Sequence, residues 1–307
     1  MKFDLLKNYL KGSIAVACND AGAANIVINW LKNMPEIKVR AHLGGPAKEL
    51  WDRAFPNSIN YSLEDALKEC DLLISGTGWA SDLEHKARLL ALSKGLFSVG
   101  VIDNWVNYEM RFYRKGQVVY PNEIWVVDEH AFSLANSKFP ELKIRLLPNY
   151  YLDDQVSKIK DLQQVPTSKP NRTKILYALE PIRVPWLKKE MVSGEFQALD
   201  YFVSNVTGIT DNPVEIRLRP HPSDFIGKYE DWIDQQNPNL KIEISNTKTM
   251  VEDLAWSDIV AGCQTYVLVI ALSAGIRTII SLPPWAPRSL LPYPSIEELR
   301  VTLGAKK

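Results

Sequence analysis

The run IRLRPHPSDF, residues 216–225, sets one histidine, His221, between two prolines directly after β-branched and basic residues. Prolines fix φ and remove backbone freedom, so Pro220 and Pro222 would hold the imidazole rigidly where a strand ends. Held there, it can donate to a phosphate oxygen; the other reading is a structural turn histidine. Arg217 and Arg219 alternate onto one face of that strand and add positive charge. A second arrangement lies in SDIVAGCQTYVLVIALSAG, where a buried strand runs through Gly262 and Cys263 into Gln264 and Thr265 at the start of a very apolar helix. Free N–H groups and the positive dipole end of such a helix suit an anion. A nucleotide phosphate would fit; Thr265 or Gln264 as a plain helix cap is the alternative.

Other polar residues fall at strand ends. Glu180 in ILYALEPIR is placed to bind substrate or donor, or is a solvated loop acid. Glu252 and Asp253 lie on the helix of MVEDLAWSD, where one could reach a ribose or both could line an exposed face. In the first half, CNDAGAAN puts Asn19 and Asp20 after a strand, with Gly22 leaving room for a substrate at the helix start. SGTGWASD offers Thr77 between two glycines, and Trp79 to stack on a sugar face. IDNWVNYEMRF brings Asp103, Asn104 and Arg111 together with Trp105 and Tyr108. Aromatic faces beside polar groups suit carbohydrate, and equally an interdomain contact. His42, His85 and His130 lack metal-like spacing, Asp153-Asp154 is too weak a pattern to use, and no GxGxxG stands after the first strand. No metal and no cofactor are expected.

The elements that must position these residues alternate. SIAVAC, KVRAHL, INYS, DLLISG, LFSVGVID and EIWVV read as strands separated by helices in the first half, which IRLLPN ends. Ser81 is read as an N-cap and Gly95 as a stop for the helix between them. KILYAL, PVEIRLR, KIEIS, DIVAG and RTIISL do the same in the second half, with Ser223 and Asp224 read as opening the helix SDFIGKYEDWIDQQ. Continuous apolar strands between helices signify a parallel sheet covered on both faces. The expected fold is α/β: two Rossmann-like, doubly wound domains facing across a cleft, residues 1–152 and 173–307. The polar stretch 153–172 reads as a linker.

Composition agrees with a globular protein of this size. The 307 residues favour two domains, and 36 Lys and Arg balance 36 Asp and Glu, which argues against nucleic acid as a partner. Three distant cysteines suggest neither disulfides nor zinc. The N-terminus lacks the pattern of a secretory signal, and no apolar run reaches the ~20 residues of a membrane span. A cytoplasmic protein is expected; nine Trp and twelve Tyr leave room for peripheral association with the inner face of a membrane.

The order RPHP, then VEDLAWSDIVAG, then a polar start to an apolar helix ending in AGIRTI, resembles the nucleotide-binding half of GT-B-fold bacterial glycosyltransferases. The similarity is to families with an HP motif followed by a small hydroxyl motif: CMP-sialic-acid and Kdo-type transferases and CDP-glycerol polymerases. The motifs cover the last third of the chain, and the paired serines common at the helix start are here Gln264 and Thr265. The resemblance implies that His221 and the hydroxyl of Thr265 contact the phosphate and nucleotide of a donor; Arg219, Pro222, Gly262, Gln264, Glu180 and Glu252 are read beside them as donor-binding. The first half matches the family only in architecture; there the strand-end residues Asn19, Gly22, Thr77, Trp79, Asp103, Asn104 and Arg111 are read as lining a glycan acceptor, and Asp20 as the base that takes the acceptor hydroxyl proton or, alternatively, as a helix cap. Bacterial surface polysaccharide or glycoconjugate synthesis would be the setting. Sugar-nucleotide epimerase or hydrolase chemistry, CDP-glycerol-type phosphotransfer, and non-catalytic ligand binding are the other readings.

Overall fold

The computed structural model describes residues 2–164, 172–187 and 192–304. The chain divides into two compact units, Met1–Tyr151 and Leu152–Lys307.

In the first unit, α1 (Lys2–Tyr9), β1 (Ser13–Cys18), α2 (Ala21–Lys32), β2 (Lys38–Leu43), α3 (Gly45–Ala54) and α4 (Leu63–Ala66) come first. They are followed by β3 (Leu72–Ser75), α5 (Leu83–Ser93), β4 (Ser98–Val101), β5 (Tyr113–Arg114), β6 (Gln117–Val118), β7 (Glu123–Val126), α6 (Glu129–Lys138) and β8 (Lys143–Leu146). Six of these strands form one sheet in the order β2-β1-β3-β4-β7-β8, all parallel. Every residue of β3, β4 and β7, and every residue of β1 after Ser13, is buried. That is why these strands read as unbroken apolar runs rather than alternations. Each large apolar side chain so buried contributes roughly 1.5–3 kcal/mol. Trp30 of α2 and Trp125 of β7 meet edge to face, centroids 5.8 Å apart, and the Trp30 indole N–H donates to the Pro148 carbonyl at 2.8 Å.

Two local expectations change, and the loop after β4 has structure of its own. INYS is not a strand: it contributes one bridge, Ala41 to Asn60. The α5 N-cap position falls to Asp82 rather than Ser81, although the Ser81 hydroxyl accepts from the Leu83 amide at 3.1 Å. The loop after β4 holds a 3-10 turn, Glu109–Phe112, and the β5–β6 hairpin. The buried Phe112 ties this loop down, packing on Phe139 with centroids 5.3 Å apart.

Helix α7 (Tyr150–Gln163) occupies the first part of the stretch read as linker; 165–171 lie outside the described residues. The second unit then runs β9 (Thr173–Ala178), α8 (Gly194–Ser204), β10 (Val214–Arg219), α9 (Glu230–Asp234), β11 (Lys241–Ile244) and α10 (Met250–Trp256). It ends with β12 (Ile259–Gly262), α11 (Tyr266–Ser273), β13 (Arg277–Ile280), β14 (Glu297–Glu298) and α12 (Leu299–Gly304). Its parallel sheet has the order β11-β10-β9-β12-β13-β14. The core lies around Ile175, Tyr177, Leu199, Phe202, Ile216 and Leu218. Ser223 and Asp224 do not open a helix; residues 222–229 are turns and α9 starts only at Glu230. Asp224 is the reason, because its buried carboxylate is committed to Arg183 and Lys228 and to the Tyr229 hydroxyl and His221 amide. Among the described residues no helix is long and apolar enough to cross a membrane.

Candidate functional site

Open parallel sheets bind ligands beyond the carboxyl ends of their strands, where the strand order reverses. In the second unit that point lies between β9 and β12. The register pairs Ala178 with both Arg219 and Gly262. Two residues beyond that row stand His221, Glu180 and Gln264, so three polar side chains start from one sheet edge at the same height.

His221 is half-buried, and its Nδ1 accepts from the Ser223 backbone N–H at 3.2 Å and lies 2.8 Å from the Ser223 hydroxyl. The ring is therefore the tautomer with its hydrogen on Nε2. Burial lowers its pKa, Arg183 and Lys228 add to that and Asp224 opposes. A neutral imidazole carrying Nε2–H is a hydrogen-bond donor, not a base. Pro222 is exposed in the turn that follows.

The helix start next door is not an open anion site. Glu180 Oε1 accepts from the Cys263 amide at 3.0 Å and the Gln264 amide at 2.6 Å, and the Thr265 hydroxyl caps its own helix through the Val267 amide. The expected phosphate seat is thus filled by the chain's own carboxylate, which β9 delivers because it lies beside β12 in register. Burial raises the Glu180 pKa to about 7, against the pull of the Gln264, Cys263 and Thr265 amides. Gln264 Oε1 accepts from the Leu290 amide at 3.0 Å, and a Cβ at Gly262 would stand 3.0 Å from the Ala178 carbonyl oxygen.

Arg219 and Glu252 are engaged in structure rather than presented to a donor. Arg219 donates to the fully buried Asp253 at 2.6 Å, and Arg217 reaches the same carboxylate at 3.3 Å, so the positive face is neutralised. Glu252 closes a capping box with Thr249.

In the first unit the order reverses between β1 and β3, and Asp20 lies there. It occupies the N-cap position of α2 but makes no side-chain cap hydrogen bond. Its carboxylate instead lies against the Gly78 Cα, where a Cβ would fall onto it; its Oδ1 is buried without a hydrogen-bond partner. Burial and then the Asp103 carboxylate raise its pKa to about 6, while Arg111 and Arg114 oppose. A carboxylate with a pKa near neutrality, unused by the helix it heads, has the protonation chemistry that a general base requires.

The surrounding predicted residues divide by role. Gly22 makes room for the Asp103 carboxylate, which pairs with Arg111 at 2.9 Å. Arg111 is 1% exposed and also donates to Thr77 Oγ1 and Asn104 Oδ1. The Thr77 hydroxyl in turn donates to the Val101 carbonyl. Thr77, Asn104 and Arg111, expected on an acceptor, therefore hold the loop after β4; the burial of Thr77 and Arg111 removes them from contact. Trp79 stays exposed, with the Arg111 guanidinium 5.1 Å from its ring centroid. The Asn19 side chain packs against Gly45.

Sequence reasoning missed Glu84 and Arg88, and read Ser223 and Asp224 as a helix start rather than as the partners of His221. Glu84 is fully buried, and its Oε1 accepts from the Asn19 amide at 2.8 Å. Arg88 donates to the Gly76, Val119 and Arg111 carbonyls and to Ser75 Oγ. Both sit on a helix, α5, whose sequence LEHKARLLALS reads as ordinary amphipathic surface.

No family model and no curated protein matches the chain. It is similar to the solved UDP-GlcNAc 2-epimerase from Neisseria meningitidis bound to UDP-GlcNAc, at 11% identity over 88% of this chain and 82% of that one, TM-score 0.56. It is similar to S. aureus MnaA in its structure with UDP, at 10% identity over 88% and 79%, TM-score 0.59. It is similar to MurG of Acinetobacter baumannii, at 12% identity over 90% and 80%, TM-score 0.50. At such identities the likeness speaks for the fold: the chain is an α/β protein of two Rossmann-like parallel-sheet domains, the GT-B fold.

Proposed function

We propose that the protein acts on a nucleotide-activated sugar, breaking the bond between the anomeric carbon and the phosphate and transferring the sugar to a hydroxyl acceptor. The observation that carries this reading is Asp20, a carboxylate at a strand-order reversal that heads a helix without capping it. In the step, Asp20 takes the acceptor hydroxyl proton, the freed oxygen bonds to the anomeric carbon, and the C–O electron pair leaves on the phosphate oxygen. The neutral His221 donates its Nε2–H to that oxygen as charge develops. Glu180, anchored by two amides, serves as an acceptor for ribose hydroxyls, and the phosphate binds on the His221 side of the edge. A CMP-linked acidic sugar, as the HP motif implies, and a surface polysaccharide or glycoconjugate acceptor are the finer form of the proposal, with peripheral membrane association at the acceptor.

Epimerase or hydrolase chemistry on the same substrate is the second reading. It is favoured by the two similar structures whose ligands are UDP-GlcNAc and UDP. The test is nucleotide release from CMP-, CDP-, UDP- and GDP-sugars, with and without an acceptor saccharide. Release that requires acceptor and disappears in Asp20→Asn supports transfer. Release without acceptor supports the second reading, and no release from any donor overturns both.

A further inference from the structure

The most buried acidic side chain among the described residues of the first unit plays no part in the step above. Glu84, on the first turn of α5, is fully buried. Its Oε1 accepts the Asn19 amide at 2.8 Å, and its Oε2 is buried with no hydrogen-bond partner. Gly76 provides its space, since a Cβ there would stand 2.5 Å from Oε1. Asp20 follows Asn19 directly, so the amide that Glu84 grips belongs to the corner that aims Asp20. An unpaired ionised carboxylate in such surroundings is costly, and two of them side by side costlier still.

We propose that Glu84 is the positioning residue for Asp20: it carries a proton on Oε2, fixes the β1–α2 corner through the Asn19 amide, and leaves the negative charge to Asp20. Resting on the role given to Asp20 above, this explains why Asp20 heads α2 without capping it. Every charged neighbour fits. Asp20 and Asp103 approach from the loops after β1 and β4, Cys18 from β1 itself, Arg88 from α5, and Arg111 and Arg114 from the segment after β4. The three carboxyls compete for charge, and Arg111 is committed to Asp103, which leaves Glu84 as the group that gives its charge up. Burial first, and Asp20 next, raise the Glu84 pKa to about 8, while the Asn19 amide and Arg88 oppose. At neutral pH the proton then sits on Glu84 and not on Asp20.

Carboxyl 13C NMR titration of the full chain tests the assignment without any substrate, so it stands or falls separately from the proposed reaction. In the wild type, Glu84 is expected to titrate near pH 8 and Asp20 near pH 6, as a coupled pair. Asp20→Asn should move the Glu84 midpoint down, because one of the charges that raises it is gone. Glu84→Gln, which keeps the acceptor for Asn19, should remove the upper step and leave the lower. Glu84→Ala should speed exchange of the Asn19 amide by about ten-fold, and Glu84→Gln should not. A Glu84 midpoint near that of an ordinary glutamate, or one unmoved by Asp20→Asn, overturns the proposal, as does an Asn19 amide equally protected in all variants.

Discussion

Asp20→Asn keeps the shape of the side chain and removes its charge, so it separates what that charge does for the reaction from what it does to the fold. Its carboxyl titrates at about 6 in the folded chain against an ordinary 3.8, chiefly through burial and the Asp103 carboxylate. A folded value above the unfolded one means that the favourable contribution is complete below about pH 4 and lost as pH rises through 6. A displacement of that size corresponds to about 3 kcal/mol, and the share of solvent and arginine screening that Asn forgoes brings the expected gain to about 1–3 kcal/mol. Urea unfolding of wild type and Asp20→Asn from pH 4 to pH 8 measures it. The two should coincide at pH 4, and the Asn variant should be the more stable above pH 7, with a melting temperature higher by roughly 2–10 °C. Nucleotide-sugar turnover should fall by about 10²–10⁴-fold in the same variant. An Asn variant less stable than wild type at pH 8 would mean that the carboxylate is a stabilising cap or ion pair, and the reasoning about Asp20 as a base would fail.

Two further outcomes follow from the other half of the chain. Glu180→Ala should open the α11 mouth, so that pyrophosphate binds about ten-fold more tightly by calorimetry; in the wild type that affinity should rise as pH falls through about 7 and Glu180 protonates, whereas the Ala variant should show no such dependence. Equal affinity in both proteins would place the anion elsewhere. Asp253→Ala should cost about 3–5 kcal/mol in urea unfolding, because it removes the buried carboxylate shared by Arg217 and Arg219 and leaves Arg217 only Glu243; a loss under about 1 kcal/mol would contradict the pairing.

The sheets were legible because parallel strands buried on both faces leave unbroken apolar runs, as in SIAVAC and DIVAG. INYS was not, since a four-residue polar-flanked segment carries no sign of whether it pairs along its length or at Asn60 alone. SDFIGKYEDW looks helical by periodicity, yet Asp224 finds Arg183, which lies 41 residues earlier, and the chain turns instead. Asp20, Glu180 and His221 could be named because they stand at strand ends. The long-range pairings around them could not. The amide of Asn19 meets Glu84 across 65 residues, and that of Cys263 meets Glu180 across 83; only the strand order brings such pairs together. The same blindness made Thr77 and Arg111 look like acceptor contacts, when a buried arginine with four acceptors is how this fold secures a long loop.

Calorimetric titration of CMP, CDP, UDP and GDP into the wild-type chain and into His221→Ala is the most direct check on nucleotide binding at the β9–β10–β12 edge. Saturable one-to-one binding of one nucleotide, weakened about ten-fold or more in His221→Ala, is the expected result. Binding of none of the four, or binding indifferent to the loss of the imidazole, would contradict it.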